Sequence, residues 1–202
     1  MERSGGASAI WQLIALNVVV FVVWQIVGPG QIELMRANFL VSLDSVLSLR
    51  VWTLLTSAVS HIDTTHLLFN MIGLYVFGRD IERLLGGQAI WHLYIAGGLM
   101  GSVGHVLYSA LSGSPNPALG ASAAVMALAV IYGGLFPKRT LLINFFIPVP
   151  ARLAVVLFIG LDLLGTFGLG GAGVANAAHL GGAAYGLGYY LLRIRPRLQG
   201  RS

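Results

Sequence analysis

The chain reads as an all-α, polytopic membrane protein, and three observations say so. Of its 202 residues, 56% are hydrophobic and 9% are charged, where soluble domains carry about 25% charged residues. The mean hydropathy is +0.81. Apolar runs approaching bilayer length recur along the chain, and the lysines and arginines collect in alternate connections between them.

Six such runs predict six spans. The first, Ile10–Val27, is long enough to cross a bilayer, and no A-x-A cleavage signal follows it, so it reads as a retained helix. Residues 28–64 are partly apolar ("FLVSLDSVL", "VWTLLTSAV") but too broken to cross, which predicts a long loop lying in the outer interface. The second and third spans are Thr65–Arg79 and Ala89–Leu111. Between the third and fourth lies "SGSPNPALGA", rich in glycine and proline and unable to continue a helix. The fourth span, Ser122–Phe136, is short: about 21 Å at about 1.5 Å per residue, against a hydrocarbon core of about 30 Å. The fifth and sixth are Arg152–Leu169 and Val174–Leu192. No internal repeat or low-complexity stretch divides the chain, which predicts a single membrane domain over residues 1–202 with short tails.

With the N-terminus in the cytoplasm, the cytoplasmic basic residues are Arg3, Arg79, Arg83, Lys138, Arg139, Arg152, Arg193, Arg195, Arg197 and Arg201. Only Arg36 and Arg50 fall outside. This is the positive-inside pattern, with both termini cytoplasmic. The formal net charge of +5 is therefore a topology signal, and no nucleic-acid partner is expected. The Arg-rich tail is expected to meet anionic lipid head groups. The chain contains no cysteine, which excludes disulfides, thiolate metal sites and a cysteine nucleophile.

The short fourth span raises a chemical question. Pinned at its cytoplasmic end by Pro137, Lys138 and Arg139, it leaves Ser122 below the outer surface, at the end of a loop that must dip to meet it. Irregular backbone at that depth is tolerated only where protein covers it or water reaches it. Ser122 is thus expected at the floor of a water-filled cavity open to the outer side. Isolated, such a serine is more often a helix cap or packing contact, and the soluble-hydrolase G-x-S-x-G elbow fails at Ala124. Two histidines change the balance. His179 lies about 20 Å above the cytoplasmic end of the sixth span, and His66 lies at the same height in the second. Ala178, Gly182 and Gly186 form a small-residue stripe beside His179, and Ala123 and Ala127 repeat that spacing on the fourth span, which lets two backbones approach. A neutral imidazole could serve Ser122 as base. The Ser122 amide, with His66 and Asn70 on one face of the second span, could stabilise an oxyanion. Asp63 would cap that helix. No membrane acid is spaced to orient His179, which predicts a dyad; Asp162 reads equally as a functional carboxylate or a structural hydrogen-bonding group.

These residues resemble the rhomboid family of intramembrane serine proteases, in its minimal six-helix, prokaryotic-type form. The likeness runs from Trp52 to the end and rests on "HIDTTHLLFN" (H-x4-H-x3-N), "GAS" and "AHLGGAAYG" (A-H-x2-G-x3-G), in the family's order. It implies a rhomboid-like bundle whose long first loop is lateral and half-inserted, with Ser122 as nucleophile and His179 as general base. It further implies His66, Asn70 and the Ser122 amide at the oxyanion, Gly120 shaping the loop, and His61 as a structural residue near the site, with Gly182 and Gly186 in the helix contact. The chain departs from the pattern at three positions. Ala123 stands where the family usually has glycine. Met126 stands where an aromatic commonly stacks on the histidine. Thr53 follows Trp52 where Trp-Arg is usual.

The expected function is an intramembrane serine endopeptidase without a cofactor. It would cut transmembrane or juxtamembrane segments of membrane proteins that enter by movement of the fifth span away from the second. The alternative is a non-catalytic relative that binds and escorts membrane helices. A transporter would need more intramembrane charge than Asp162 and an inverted repeat. His92 and His105 read as packing or interface residues, and His61, Asp63 and His66 make only a weak metal cluster, so no metal is expected. With no organelle-targeting leader visible, the expected home is a prokaryotic plasma membrane.

Overall fold

A computed structural model describes residues 8–143, 146–167 and 173–200. Among these, six helices of 14 residues or more build the bundle: α1 (Ala9–Ile26), α5 (Thr64–Leu85), α6 (Gly87–Ser112), α7 (Ser122–Leu135), α8 (Ala151–Thr166) and α9 (Gly173–Tyr189). The segment between α1 and α5 holds the short helices α2 (Pro29–Phe39), α3 (Leu43–Leu47) and α4 (Thr53–Thr56) and a 3-10 turn, Ser57–Val59. A π-turn, Tyr190–Ile194, extends α9 into α10 (Arg195–Gln199). α1 is long and apolar enough to cross a membrane on composition alone, with mean hydropathy 2.0 over 18 residues. Of the twelve basic residues counted above, Arg3 and Arg201 lie outside the described residues, as does the 168–169 end of the expected fifth span.

Two expectations need correction. The all-α reading misses an antiparallel hairpin between α7 and α8, β1 (Thr140–Ile143) with β2 (Ile147–Pro150). Pro148 and Pro150 cannot join a helix there, and Thr140, Ile143, Ile147 and Val149 are β-branched. The sequence also suggests that Asp80, Glu82 and Arg83 end the second span as a solvated cytoplasmic cap, and the structure differs. Glu82 accepts the Ala9 amide at 2.6 Å and the Ser8 hydroxyl, putting a carboxylate at the N-terminus of α1. Asp80 pairs with Arg139 at 2.7 Å, binding α5 to the turn after α7.

Local chemistry explains the remaining helix ends. Asp63 caps α5 by accepting the His66 amide at 2.8 Å. α6 stops at Gly113, whose φ of +71° suits a left-handed terminator. In the long segment, Trp52 Nε1 donates to Asn38 (3.0 Å), and Arg50 pairs with Asp44 (3.2 Å). Thr53, in the position where the family pattern has arginine, is fully buried and bonds the Arg50 carbonyl and Ser45. The Trp24 indole donates to Ser60, and Tyr94 bridges Asn17 and the Ala58 carbonyl, so the segment is stitched to α1 and α6.

What brings distant residues together is contact between small residues. α9 lies against α6 and α7, and a methyl added at Gly182 would run into the Ala123 carbonyl. At Gly186 it would lie 2.5 Å from the Ala127 carbonyl, and at Gly104 on α6, 2.7 Å from the Ala177 carbonyl. Backbones approach this closely only where no side chain intervenes. Gly182→Ala is therefore expected to lose about 1–3 kcal/mol through overpacking. Gly160→Ala, where a methyl meets nothing within 4 Å, should be neutral. Thermal unfolding of both variants in detergent checks this.

Candidate active site

The last residues of the loop before α7 are tied to neighbouring protein, while Pro115, Asn116 and Pro117 are exposed. Val41 and Ala118 exchange two backbone hydrogen bonds, and the Gly120 amide donates to the Ser57 carbonyl at 2.8 Å. The Ala121 amide donates to His61 Nε2 at 3.3 Å. Backbone groups at this depth thus have partners, as a low-dielectric setting requires. Gly120 has φ +119°, and a methyl on it would lie 2.6 Å from His66 Cε1, so both backbone geometry and the closeness of His66 demand glycine.

Ser122 is the first residue of α7, so its amide has no acceptor within the helix. Its hydroxyl lies 2.8 Å from His179 Nε2 on α9. The other ring nitrogen of His179, Nδ1, lies 2.9 Å from Asp162 Oδ1 on α8. This corrects the expectation that no acid is spaced to orient His179. Asp162 and His179 are on different helices, and their juxtaposition comes from the packing of α8 on α9, which sequence spacing does not encode. A buried carboxylate in a membrane run demands a partner, and that was the one available signal. With Nδ1–H donated to the carboxylate, Nε2 is left to accept the serine proton.

A cavity of about 350 Å³ opens beside Ser122, with His66, Gly120, Asn116 and Ala118 on one side and Ser57, Ser102 and His105 behind. His105 was read only as a packing residue, yet it is fully buried and forms part of this wall. Asn70 does not line the cavity; its side-chain amide donates to the His66 carbonyl at 2.9 Å, one helical turn back. His61 is fully buried, edge-on to His66 with ring centroids 4.9 Å apart. Gly182 and Gly186 lie under the α7 backbone, as described. The extra methyl of Ala123 fits because it faces Gly101 on α6, where a second methyl would collide with it. Met126 packs with Phe77 and Ile159 around Val130, Val155 and Ala183. Asp63 is engaged in its cap.

Burial, and secondarily the neighbouring His66, push His61 down to about 4. A histidine with a depressed folded pKa contributes stability that is intact above its unfolded value near 6.5 and lost as pH falls toward about 4. His61→Gln is accordingly expected to flatten the fall in melting temperature between about pH 7 and pH 5, whatever its effect at neutral pH. Melting curves of both proteins across that range test this.

The chain is similar to known proteins. The rhomboid domain family matches residues 48–196. The chain is 42% identical over 186 residues to RHOMBOID-like protein 12, mitochondrial, of Arabidopsis thaliana, covering 85% of this chain and 54% of that protein. It is 31% identical over 193 residues to Rhomboid protein 1, mitochondrial, of Saccharomyces cerevisiae (90% and 53%). It is 27% identical over 183 residues to Rhomboid protease GluP of Bacillus subtilis (89% and 34%). The chain spans about half the length, or less, of these relatives. From this match and the helical architecture, the chain belongs to the rhomboid family of integral membrane proteins.

Proposed function

We propose that this protein is an intramembrane serine endopeptidase acting on transmembrane or juxtamembrane segments of other membrane proteins. The observation that carries the reading is the hydrogen-bonded line from Ser122 Oγ through His179 to Asp162, with spacings of 2.8 and 2.9 Å, at the edge of a cavity. A relative whose name includes "protease" supports it. The basic face bearing Arg79, Arg83, Lys138, Arg139, Arg193, Arg195 and Arg197 is assigned to the cytoplasmic side, and the cavity to the outer one. Six membrane spans complete this assignment.

In the proposed reaction, His179 Nε2 removes the Ser122 hydroxyl proton as Oγ adds to the scissile carbonyl carbon. The resulting oxyanion meets the Ser122 amide and an N–H of His66. Collapse breaks the C–N bond, and the leaving amine takes the proton from Nε2, leaving an ester on Ser122. Water then adds to that ester by the same route, giving its proton to Nε2, and the ester C–O bond breaks to return Ser122 and a carboxylate product. Asp162 is a positioning residue: it fixes the tautomer of His179 and stabilises the imidazolium that forms. A substrate helix must unwind to expose its bond, because a helix satisfies its own backbone. Entry beside α8 would carry Asp162 away from His179, so the charge relation would be restored only when α8 returns.

The test is cleavage of a single-span membrane substrate by purified protein. Ser122→Ala and His179→Ala are expected to abolish it. Asp162→Asn is expected to lower kcat roughly hundredfold or more with little change in KM, the sign of a lost transition-state interaction. Cleavage that survives Ser122→Ala sinks the mechanism. An inert wild type whose Ser122 also resists a fluorophosphonate would turn the reading toward a helix-binding escort protein.

A further inference from the structure

At the opposite end of α9 from His179, roughly 20 Å away along the helix, lies a second cavity of about 550 Å³. His92, Tyr185, Gly188, Tyr189, Leu192, Arg193 and Arg197 line it, and among the described residues no carboxylate does. The proposed chemistry uses none of these groups. His92 near the start of α6 is held in place: its Nε2 lies 2.8 Å from the Tyr185 hydroxyl, and the Tyr189 ring stands 5.8 Å from its own. Arg193 and Arg197 follow one helical turn apart and face the same hollow, aimed there across the π-turn at Tyr190–Ile194. Single π-turns within helices recur at functional sites. Neither arginine makes an ion pair among the described residues. Two guanidinium groups, an imidazole and phenolic hydroxyls therefore converge without a neutralising anion, a donor set that suits phosphate oxygens.

The surroundings decide which phosphate. A methyl at Gly188 would meet nothing within 4 Å, leaving an open slot beside the arginines. Leu192, one turn on, is 77% exposed, and Leu187 and Leu191 also face outward. A soluble phosphate has no use for an apolar slot, whereas an acyl chain does. We propose that this hollow is a specific site for an anionic phospholipid of the leaflet on the basic side, its phosphate on His92, Arg193 and Arg197 and one chain along Gly188 and Leu192.

The test is native mass spectrometry of the delipidated full chain in detergent, titrated with phosphatidylglycerol or with phosphatidylcholine of the same acyl chains. Phosphatidylglycerol should be retained in preference. The double variant Arg193→Gln, Arg197→Gln should lower its occupancy roughly tenfold or more, and His92→Gln should lower it as well. Arg195→Gln, a control with the charge change of either single substitution on an adjacent exposed residue, should shift it by less than about threefold. Equal retention of the two lipids, or an equal loss in Arg195→Gln and Arg193→Gln, would reduce the binding to general surface charge and overturn the proposal. Displacement of phosphatidylglycerol by millimolar inorganic phosphate would assign the hollow to a soluble anion and overturn it equally.

Discussion

The seating of α9 on the bare backbones of α6 and α7 is the constraint on which the rest of the molecule depends. In lipid there is no hydrophobic drive to press one apolar helix on another, so helices are held by close packing and hydrogen bonds. Gly182 against Ala123, Gly186 against Ala127, and Gly101 and Gly104 against Ala178 and Ala177 supply that closeness. Ser122 and His179 are 57 residues apart in sequence and 2.8 Å apart in space. A slip of one residue along α9 would move the imidazole by about 1.5 Å and turn it by about 100°, and the hydrogen bond would be gone. The glycines therefore set the register on which the proposed chemistry rests.

Polar groups are few in this interior, and each marks a place where geometry is fixed. Asn17 and Tyr94 hold α1 to α6, and His61 accepts the amide beside Ser122. Asp162 meets His179. A buried polar group without a partner costs far more than a satisfied one returns, so these pairs discriminate against alternative packings more than they add stability. Asp162 also joins His179 to α8, which packs on α7, α9 and the hairpin. Movement of that helix and the orientation of His179 are thereby one variable.

The two halves of α9 stand beside different cavities. One half lies beside a cavity with serine and histidine walls, while the other ends in tyrosines, with Arg193 and Arg197 in the turns that follow. The basic residues proposed to orient the chain also supply the cluster proposed to hold a lipid phosphate.

Much of this was legible in the residues themselves. Hydropathy marks the membrane class because twenty apolar residues have no other use at that length. The break before the fourth run puts Ser122 at the start of its helix, and H-x4-H-x3-N, GAS and A-H-x2-G-x3-G point to one family. Tertiary structure alone decided the rest. The partner of Asp162 is on another helix, and a charge in an apolar run announces only that some partner exists. Asn70 stands on the expected face, yet its amide turns to the His66 carbonyl, since rotamers answer to local hydrogen bonds that spacing cannot show. The fit of Ala123 is decided by Gly101, a residue two elements away. Periodicity along a chain fixes which face a side chain occupies; which atom it meets depends on how separate helices stack, and that is a property of the packed bundle.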